Sequence, residues 1–418
     1  MTTDPKGLHL ETLAIGYGYD PAQHQGSAKP PLFLTSTFVY PSAQIAKDAH
    51  RVFFNGPVDG EPAGAFIYSR LNHPNLDMVE KRLAVLDGAE DCAAFSSGMA
   101  ALSTTLMTLL RPGDSMVYSR PIYSGTDGLM NGHLTDYGIK PFGITDAVDR
   151  ANVQAAVDLA LKAGPLTVMM IESPANPTAA TADISMIRAI ADEVGAKTGL
   201  RPILVVDNTF LGPLLQSPLK HGADLTITSL TKYCGGHSDL LAGSVSGDAA
   251  LVRRLKQRRT TFGCHLDPHT SWLMLRSLET LALRTERSCS NAAAIARFLA
   301  DHPKVRAVTY LGFLPEGSPA RAVYERQCKG AGSTFSFKIK GGEAEAFRML
   351  DKVRLAKMAV SLGGAETLIC HSATTTHYAV PQAQREEVGI DDGTIRISVG
   401  LEHIDDLISD LSQALEAV

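Results

Sequence analysis

Three apolar runs of strand length sit in the middle of the chain, and each ends abruptly in small polar residues. They are GPLTVMMIES (164–173), PILVVDNTF (202–210) and ADLTITSLTK (223–232). Their apolar residues are continuous rather than alternating, the pattern of a strand covered on both faces. Between the first two lies ISMIRAIADEVGAKTG (184–199), with apolar residues at helical spacing and glycines near its end. Strands that alternate with helices predict a parallel sheet with helices on both sides. The same texture begins earlier, with a helix in LDMVEKRLAVLDGAE (76–90), a short run CAAF (92–95), a helix in SSGMAALSTTLMTLL (96–110) and a strand in DSMVYS (114–119).

Two flanking regions read differently. Residues 1–65 are rich in Pro and Gly and keep no period, which predicts an N-terminal arm that packs on something else, such as a neighbouring subunit. Residues 66–262 form the expected α/β domain. Residues 263–418 predict a smaller α+β domain. Its long helix is expected in 269–302, its antiparallel strands in VRAVTYLG (305–312), GSTFSFKIKG (332–341) and GTIRISVG (393–400), and an amphipathic helix closes the chain. A length of 418 residues suits two or more cores. A net charge of −5 gives no pull toward nucleic acid or an anionic membrane, and the basic run RRLKQRR (253–259) reads as one solvated helix face. No stretch has the run of apolar residues a membrane helix needs. The six cysteines form no C-x-x-C pair and the first residues do not read as a signal peptide, so the expected location is the cytoplasm.

In a parallel α/β sheet, ligands bind beyond the carboxyl ends of the strands. Five such ends carry candidate chemistry here. After CAAF, the small residues Ser96, Ser97, Gly98 and Met99 open a helix, whose free N–H groups suit a phosphate. After DSMVYS comes Tyr123 in RPIYSGTDG, an aromatic ring for stacking. After TVMMI comes Asn176 in ESPANPT. After ILVV comes Asp207, a carboxylate that is costly at the end of a buried strand unless it is paired. After LTIT come Ser229, Thr231 and Lys232. A lone lysine is ordinarily a solvated surface charge. Beside hydroxyls, at a strand end, with an acid and a helix start nearby, it reads as a reactive amine. Pyridoxal 5'-phosphate needs this set: an amine for an imine link, an acid for its pyridine nitrogen, a phosphate cradle and a stacking ring.

The ordered motifs IYSRLNHPN, FSSGMAAL, ESPANPT, VVDNTF, SLTKYCGGHSD and AVSLGGAETLICHSATTTH resemble the Cys/Met-metabolism (trans-sulfuration) family of fold-type I pyridoxal-phosphate enzymes, from about 66 to 400. The resemblance implies a fold-type I transferase architecture, with a large, mostly parallel α/β domain and a smaller C-terminal α+β domain. It implies that Lys232 carries the cofactor and moves protons, with Tyr123 stacking on the ring and sharing the proton work. Asp207 would pair with the pyridine nitrogen and Asn176 with the phenolic oxygen. Gly98, Met99, Ser229 and Thr231 would hold the phosphate, and Tyr68 and Arg70 would reach the phosphate of a neighbouring subunit. Ser361 and Arg396 would hold the substrate carboxylate. The family's arm packs across a dimer, and a homotetramer of active-site-sharing dimers is expected.

Within that family the expected reaction is γ-replacement on an O-acylhomoserine, of the cystathionine γ-synthase or O-acetylhomoserine sulfhydrylase type. The alternative is α,γ-elimination, as in methionine γ-lyase or cystathionine γ-lyase. Methionine γ-lyases generally carry a cysteine where this chain has Gly125, and a Lys-Asp pair where it has Arg259-Thr260. Val360 stands where cystathionine γ-synthases and γ-lyases commonly have Glu, as it does in methionine γ-lyases. Residues 51–65 look longer than the family norm. A minor alternative is a non-catalytic or metal-binding protein on the same scaffold, using His237, His265, His269, His371 and His377. Their spacing fits no zinc pattern, so no metal is expected.

Overall fold

A computed structural model describes residues 7–56 and 64–418 of the chain. The larger sheet has seven strands: β1 (Asp91–Phe95), β2 (Ser115–Ser119), β3 (Lys140–Ile144), β4 (Leu166–Glu172), β5 (Ile203–Asp207), β6 (Leu225–Thr228) and β7 (Gly243–Gly247). Their order is β1-β7-β6-β5-β4-β2-β3. Neighbours are parallel except that β7 runs antiparallel to both β6 and β1, so six strands point one way. The continuous apolar runs are central because both faces are covered. Val168, Met170, Val205 and Ile227 pack on one side with Leu102, Leu106, Val252 and Leu255. Met169, Ile171, Leu204 and Val206 pack on the other with Val153, Val157, Ile187 and Val194. β3 and β7 were not legible in sequence: β7 is the small-residue stretch GSVSG, and β3 is a half-exposed edge strand.

The smaller sheet holds β8 (Val305–Thr309), β9 (Thr334–Ile339), β10 (Lys357–Met358), β11 (Leu368–His371) and β12 (Thr394–Ser398), in the order β10-β11-β12-β9-β8. It is antiparallel apart from the short β10–β11 pair. Its core joins Phe335, Phe337, Ile395 and Ile397 to the inner faces of the helices Leu281–Asp301 and Ile404–Leu415.

Three details depart from the sequence reading. The single helix expected over 269–302 is two, Pro268–Leu278 and Leu281–Asp301. Their apolar stripes serve different cores: Met274, Leu275 and Leu278 pack with the helix Pro74–Asp87 of the large unit, while Ala292, Ile295 and Leu299 enter the small unit. The basic run is not one solvated face. Arg259 is buried, with its guanidinium 2.5 Å from Glu80 and stacked over Phe95, and Lys256 pairs with Asp91 at 2.8 Å. Lastly, a helix, Ala43–Asn55, forms inside the stretch read as irregular, capped by Ser42. Of the longer 51–65 segment, 57–63 lie outside the described residues.

Candidate active site

The strand ends align because the sheet is parallel. Ser119, Glu172 and Asp207 finish β2, β4 and β5 side by side, and Glu172 and Asp207 are register partners. The loops that follow carry Tyr123 and Asn176. β6 leads directly into Ser229, Thr231 and Lys232. From the other unit, β12 presents Arg396, which is buried.

Lys232 and Arg396 meet across the two units through one loop. Lys232 Nζ donates to Ser361 Oγ at 2.8 Å, and Arg396 Nη2 donates to the Ser361 carbonyl at 2.5 Å. Arg396 Nη1 donates to Asn176 Oδ1 at 3.3 Å, and Arg396 Nε has no hydrogen-bond partner among the described residues. Ser361 sits at φ 81°, a region side chains rarely occupy, and such strain gathers at functional sites. Two residues on, Gly363 lies where a Cβ would stand 2.7 Å from the Tyr233 backbone nitrogen, so only glycine lets this loop press against the Lys232 turn. Burial, and then the charge of Arg396, pull the Lys232 amine down to about 8. Above that pH most of it is neutral and nucleophilic. Addition of a simple aromatic aldehyde to the cofactor-free protein is therefore expected to rise with pH around a midpoint near 8. A midpoint at about 10, the ordinary lysine range, would mean that Lys232 is solvated.

Asp207 Oδ1 accepts from the Thr209 N–H at 2.9 Å, and Thr209 Oγ1 accepts from the Ser229 N–H at 2.8 Å. Thr209 thus couples the acid to the hydroxyl turn. Burial pushes the Asp207 carboxyl up. Burial and the neighbouring Asp207 push Glu172 up to about 8.

The helix Gly98–Leu109 starts against this turn. Ser97 caps it, its Oγ accepting from the Ala100 N–H at 3.0 Å. The first-turn N–H groups of Gly98 and Met99 have no partner inside a helix. A Cβ at Gly98 would stand 2.8 Å from Ser229 Cβ, so only glycine lets the helix start press this closely against the hydroxyl turn. Thr231 is placed differently: its Oγ1 accepts from the Ala242 N–H at 3.0 Å and donates to the Ala242 carbonyl at 3.2 Å. Among the described residues no hydrogen bond joins Tyr68 or Arg70 to Lys232, Ser361 or Arg396. Arg70 Nη1 donates to the Thr260 carbonyl at 2.7 Å, its guanidinium lies over the Tyr68 ring, and Tyr68 bridges to Thr37.

Two residues here, Glu172 and Thr209, had no role in the sequence reading, and a third, His377, figured there only as a candidate metal ligand. Glu172 satisfied the same argument as Asp207, a carboxylate closing a buried strand, and could have been found by it. Thr209 follows Asp207 by two positions. His377 is buried near Asn176 and Arg396 and bonds Thr376 Oγ1 at 2.9 Å; burial and Arg396 keep it neutral, down to about 4. The other histidines are scattered: His237 and His265 bond backbone carbonyls of their own turns, and His371 bonds Thr374 and Asp392. Among the described residues no group of three or more His, Cys, Asp or Glu could hold a metal ion. No helix among them is long and apolar enough to cross a membrane. All six cysteines are free thiols.

A sequence model of the family described as "Cys/Met metabolism PLP-dependent enzyme" matches residues 11–416. The L-methionine gamma-lyase of Pseudomonas putida is 40% identical over 408 residues, 97% of each chain. The O-succinylhomoserine sulfhydrylase of Pseudomonas aeruginosa is 36% identical over 100% of this chain and 98% of its own. The solved cystathionine gamma synthase from Xanthomonas oryzae pv. oryzae, in complex with aminoacrylate and cysteine, matches with a TM-score of 0.87 at 33% identity, over 99% of both chains.

Proposed function

We infer a function from one premise: the chain belongs to the Cys/Met metabolism PLP-dependent enzymes. It is a pyridoxal-phosphate enzyme of the carbon–sulfur lyase and γ-replacement type, acting on a small amino acid. The residues present fit the cofactor. The bare Gly98 brings the free N–H groups of a helix start against the Ser229 hydroxyl, and Arg396 Nε is buried with no hydrogen-bond partner among the described residues. Both features suit anions, one a phosphate and the other a carboxylate. When bound, the cofactor supplies an electron sink that acidifies the carbons next to the substrate nitrogen.

The chain's own groups then have distinct tasks. Lys232, held by Ser361 and poised near neutrality, attaches the cofactor and carries protons between substrate carbons. Asp207 offers negative charge to the pyridine nitrogen. Tyr123 would cover the ring of the bound cofactor and Asn176 would orient its oxygen. Gly98, Met99 and Ser229 cradle the phosphate; Thr231 adds a third contact only with the lone pair its two Ala242 bonds leave free. Arg396 and Ser361 take the substrate carboxylate, Arg396 as a fork. Tyr68 and Arg70, away from this group within one chain, serve the site of a second copy, and the exposed Leu34 and Val39 of the arm pack there in a tetramer.

The finer reading is γ-replacement on an O-acylhomoserine, and Gly125 carries it. A Cβ at Gly125 would stand 2.6 Å from Tyr123 Cε1, so the Tyr123 ring occupies the space that a methionine γ-lyase-like cysteine would need. The second reading, γ-elimination from methionine, is favoured by Val360, which is 56% exposed and brings no charge to the site, and by the 40% identity to a methionine γ-lyase. O-acetyl- and O-succinylhomoserine, each with and without cysteine or sulfide, and methionine alone, separate the two. Thioether or homocysteine from the esters is the expected result. Fast 2-oxobutanoate and thiol from methionine, with no replacement product from the esters, would give the second reading.

A further inference from the structure

Glu172 closes β4 as Asp207 closes β5, yet it touches neither the lysine nor the carboxylate fork. Its side chain is 6% exposed. Its backbone N–H donates to Ser119 Oγ, at the end of β2, at 2.9 Å. Its two carboxylate oxygens serve two separate loops: Oε2 accepts from the Tyr123 N–H at 2.5 Å and Oε1 accepts from the Asn176 N–H at 2.8 Å. Among the described residues no hydrogen bond joins it to Lys232, Ser361 or Arg396. A carboxylate buried beside a like charge is unfavourable, and an apolar side chain of this length would sit there at lower cost. Its two bonds, however, fall on the backbones of Tyr123 and Asn176, the two residues that the proposed function assigns to the cofactor ring.

We propose that Glu172 is a positioning residue: its carboxyl group clasps the Tyr123 and Asn176 backbones to one point beside Asp207, fixing the mutual placement of all three side chains. The proposal rests on the tasks given to Tyr123, Asn176 and Asp207 above. The clasp extends further, because Asn176 Oδ1 accepts from Arg396, which places the substrate fork on the same frame. Glutamine cannot copy it. Both oxygens of a carboxyl group, protonated or not, keep a lone pair for an N–H; an amide oxygen accepts one N–H, but the amide nitrogen then meets the other as donor against donor. Glu172→Gln therefore releases one of the two loops.

Two measurements test this without a substrate. In the cofactor-free protein, hydrogen–deuterium exchange of the peptides containing Tyr123 or Asn176 is expected to speed up about tenfold in Glu172→Gln, as one lost backbone bond would give, with β9 and β12 unchanged. In the loaded protein, the visible circular dichroism of bound pyridoxal phosphate is expected to change shape, because the ring sits in an altered asymmetric frame. A third readout, on whichever substrate proves active, is a fall in kcat of about tenfold with KM nearly constant. Wild-type exchange at both loops together with a wild-type dichroism spectrum would overturn the clasp, whatever the enzyme acts on. Should Glu172→Gln not fold, Glu172→Asp keeps a carboxyl group and reaches only one N–H; exchange is then expected to rise at one loop, and protection of both would overturn the proposal.

Discussion

Changing Lys232 to alanine is expected to abolish borohydride-fixed attachment of pyridoxal phosphate and to lower turnover by roughly 10³-fold or more, the scale of losing a positioned nucleophile and proton carrier together. Lys232 is the lysine at the carboxyl end of β6, and its amine is the one bonded to Ser361 and lowered to about 8. An arginine cannot stand in for it, since a guanidinium stays charged at all accessible pH. Reduction with borohydride followed by peptide mapping checks this. Label appearing on another lysine of the variant at wild-type yield would reassign the amine.

Changing Asp207 to asparagine is expected to cost roughly 10²–10³-fold in turnover, the scale on which one preorganised electrostatic partner is usually felt. The same change has a consequence in the cofactor-free protein. Glu172 has its carboxyl raised from an ordinary 4.5 to about 8, by burial first and the Asp207 charge second. Between those values the folded chain holds a proton that the unfolded chain has released. The stability this proton confers is complete below about pH 4.5 and drains away as pH rises toward 8, by at most about 1.4 kcal/mol per pH unit. The asparagine variant lacks the neighbouring charge but keeps the burial, so the folded value falls and the drain ends at lower pH. Thermal melts of the cofactor-free protein at pH 6 and pH 8 measure this. Wild type is expected to lose more Tm across that interval than Asp207→Asn. Equal losses would mean that the two carboxylates do not sense each other.

Both effects come from residues the sequence already marked, and the reason is physical. A buried strand ending in Asp, and another running into a Ser-Leu-Thr-Lys turn, are conspicuous because polar groups at those places need partners. Tyr123, Asn176 and the Gly98 helix start share the same placement beyond a strand. Glu172 carried the same mark but no apparent ligand, because its two partners are backbone N–H groups, which have no sequence identity. The Thr231 bonds to Ala242 were likewise invisible, since they depend on how the chain returns along β7. β7 itself, made of Gly, Ser and Val, has too little apolar content to announce a strand, although it sits between β1 and β6. The break at Glu279–Thr280 has no proline or glycine to signal it and follows from two apolar stripes facing two cores.

The sequence by itself determined the alternation of buried strands and helices, the family and so the cofactor, and the one-dimensional list of candidate groups, because each of these follows from local periodicity or from motif order. Only the tertiary structure decided which of those groups lie together. Arg396 lies 164 positions after Lys232 and in another unit, and it joins the lysine through the strained Ser361 while also bonding the side-chain amide of Asn176. Tyr68 and Arg70, by contrast, fall outside that group within one chain. Such pairings are set by how two cores close on each other, and no local pattern encodes that closure.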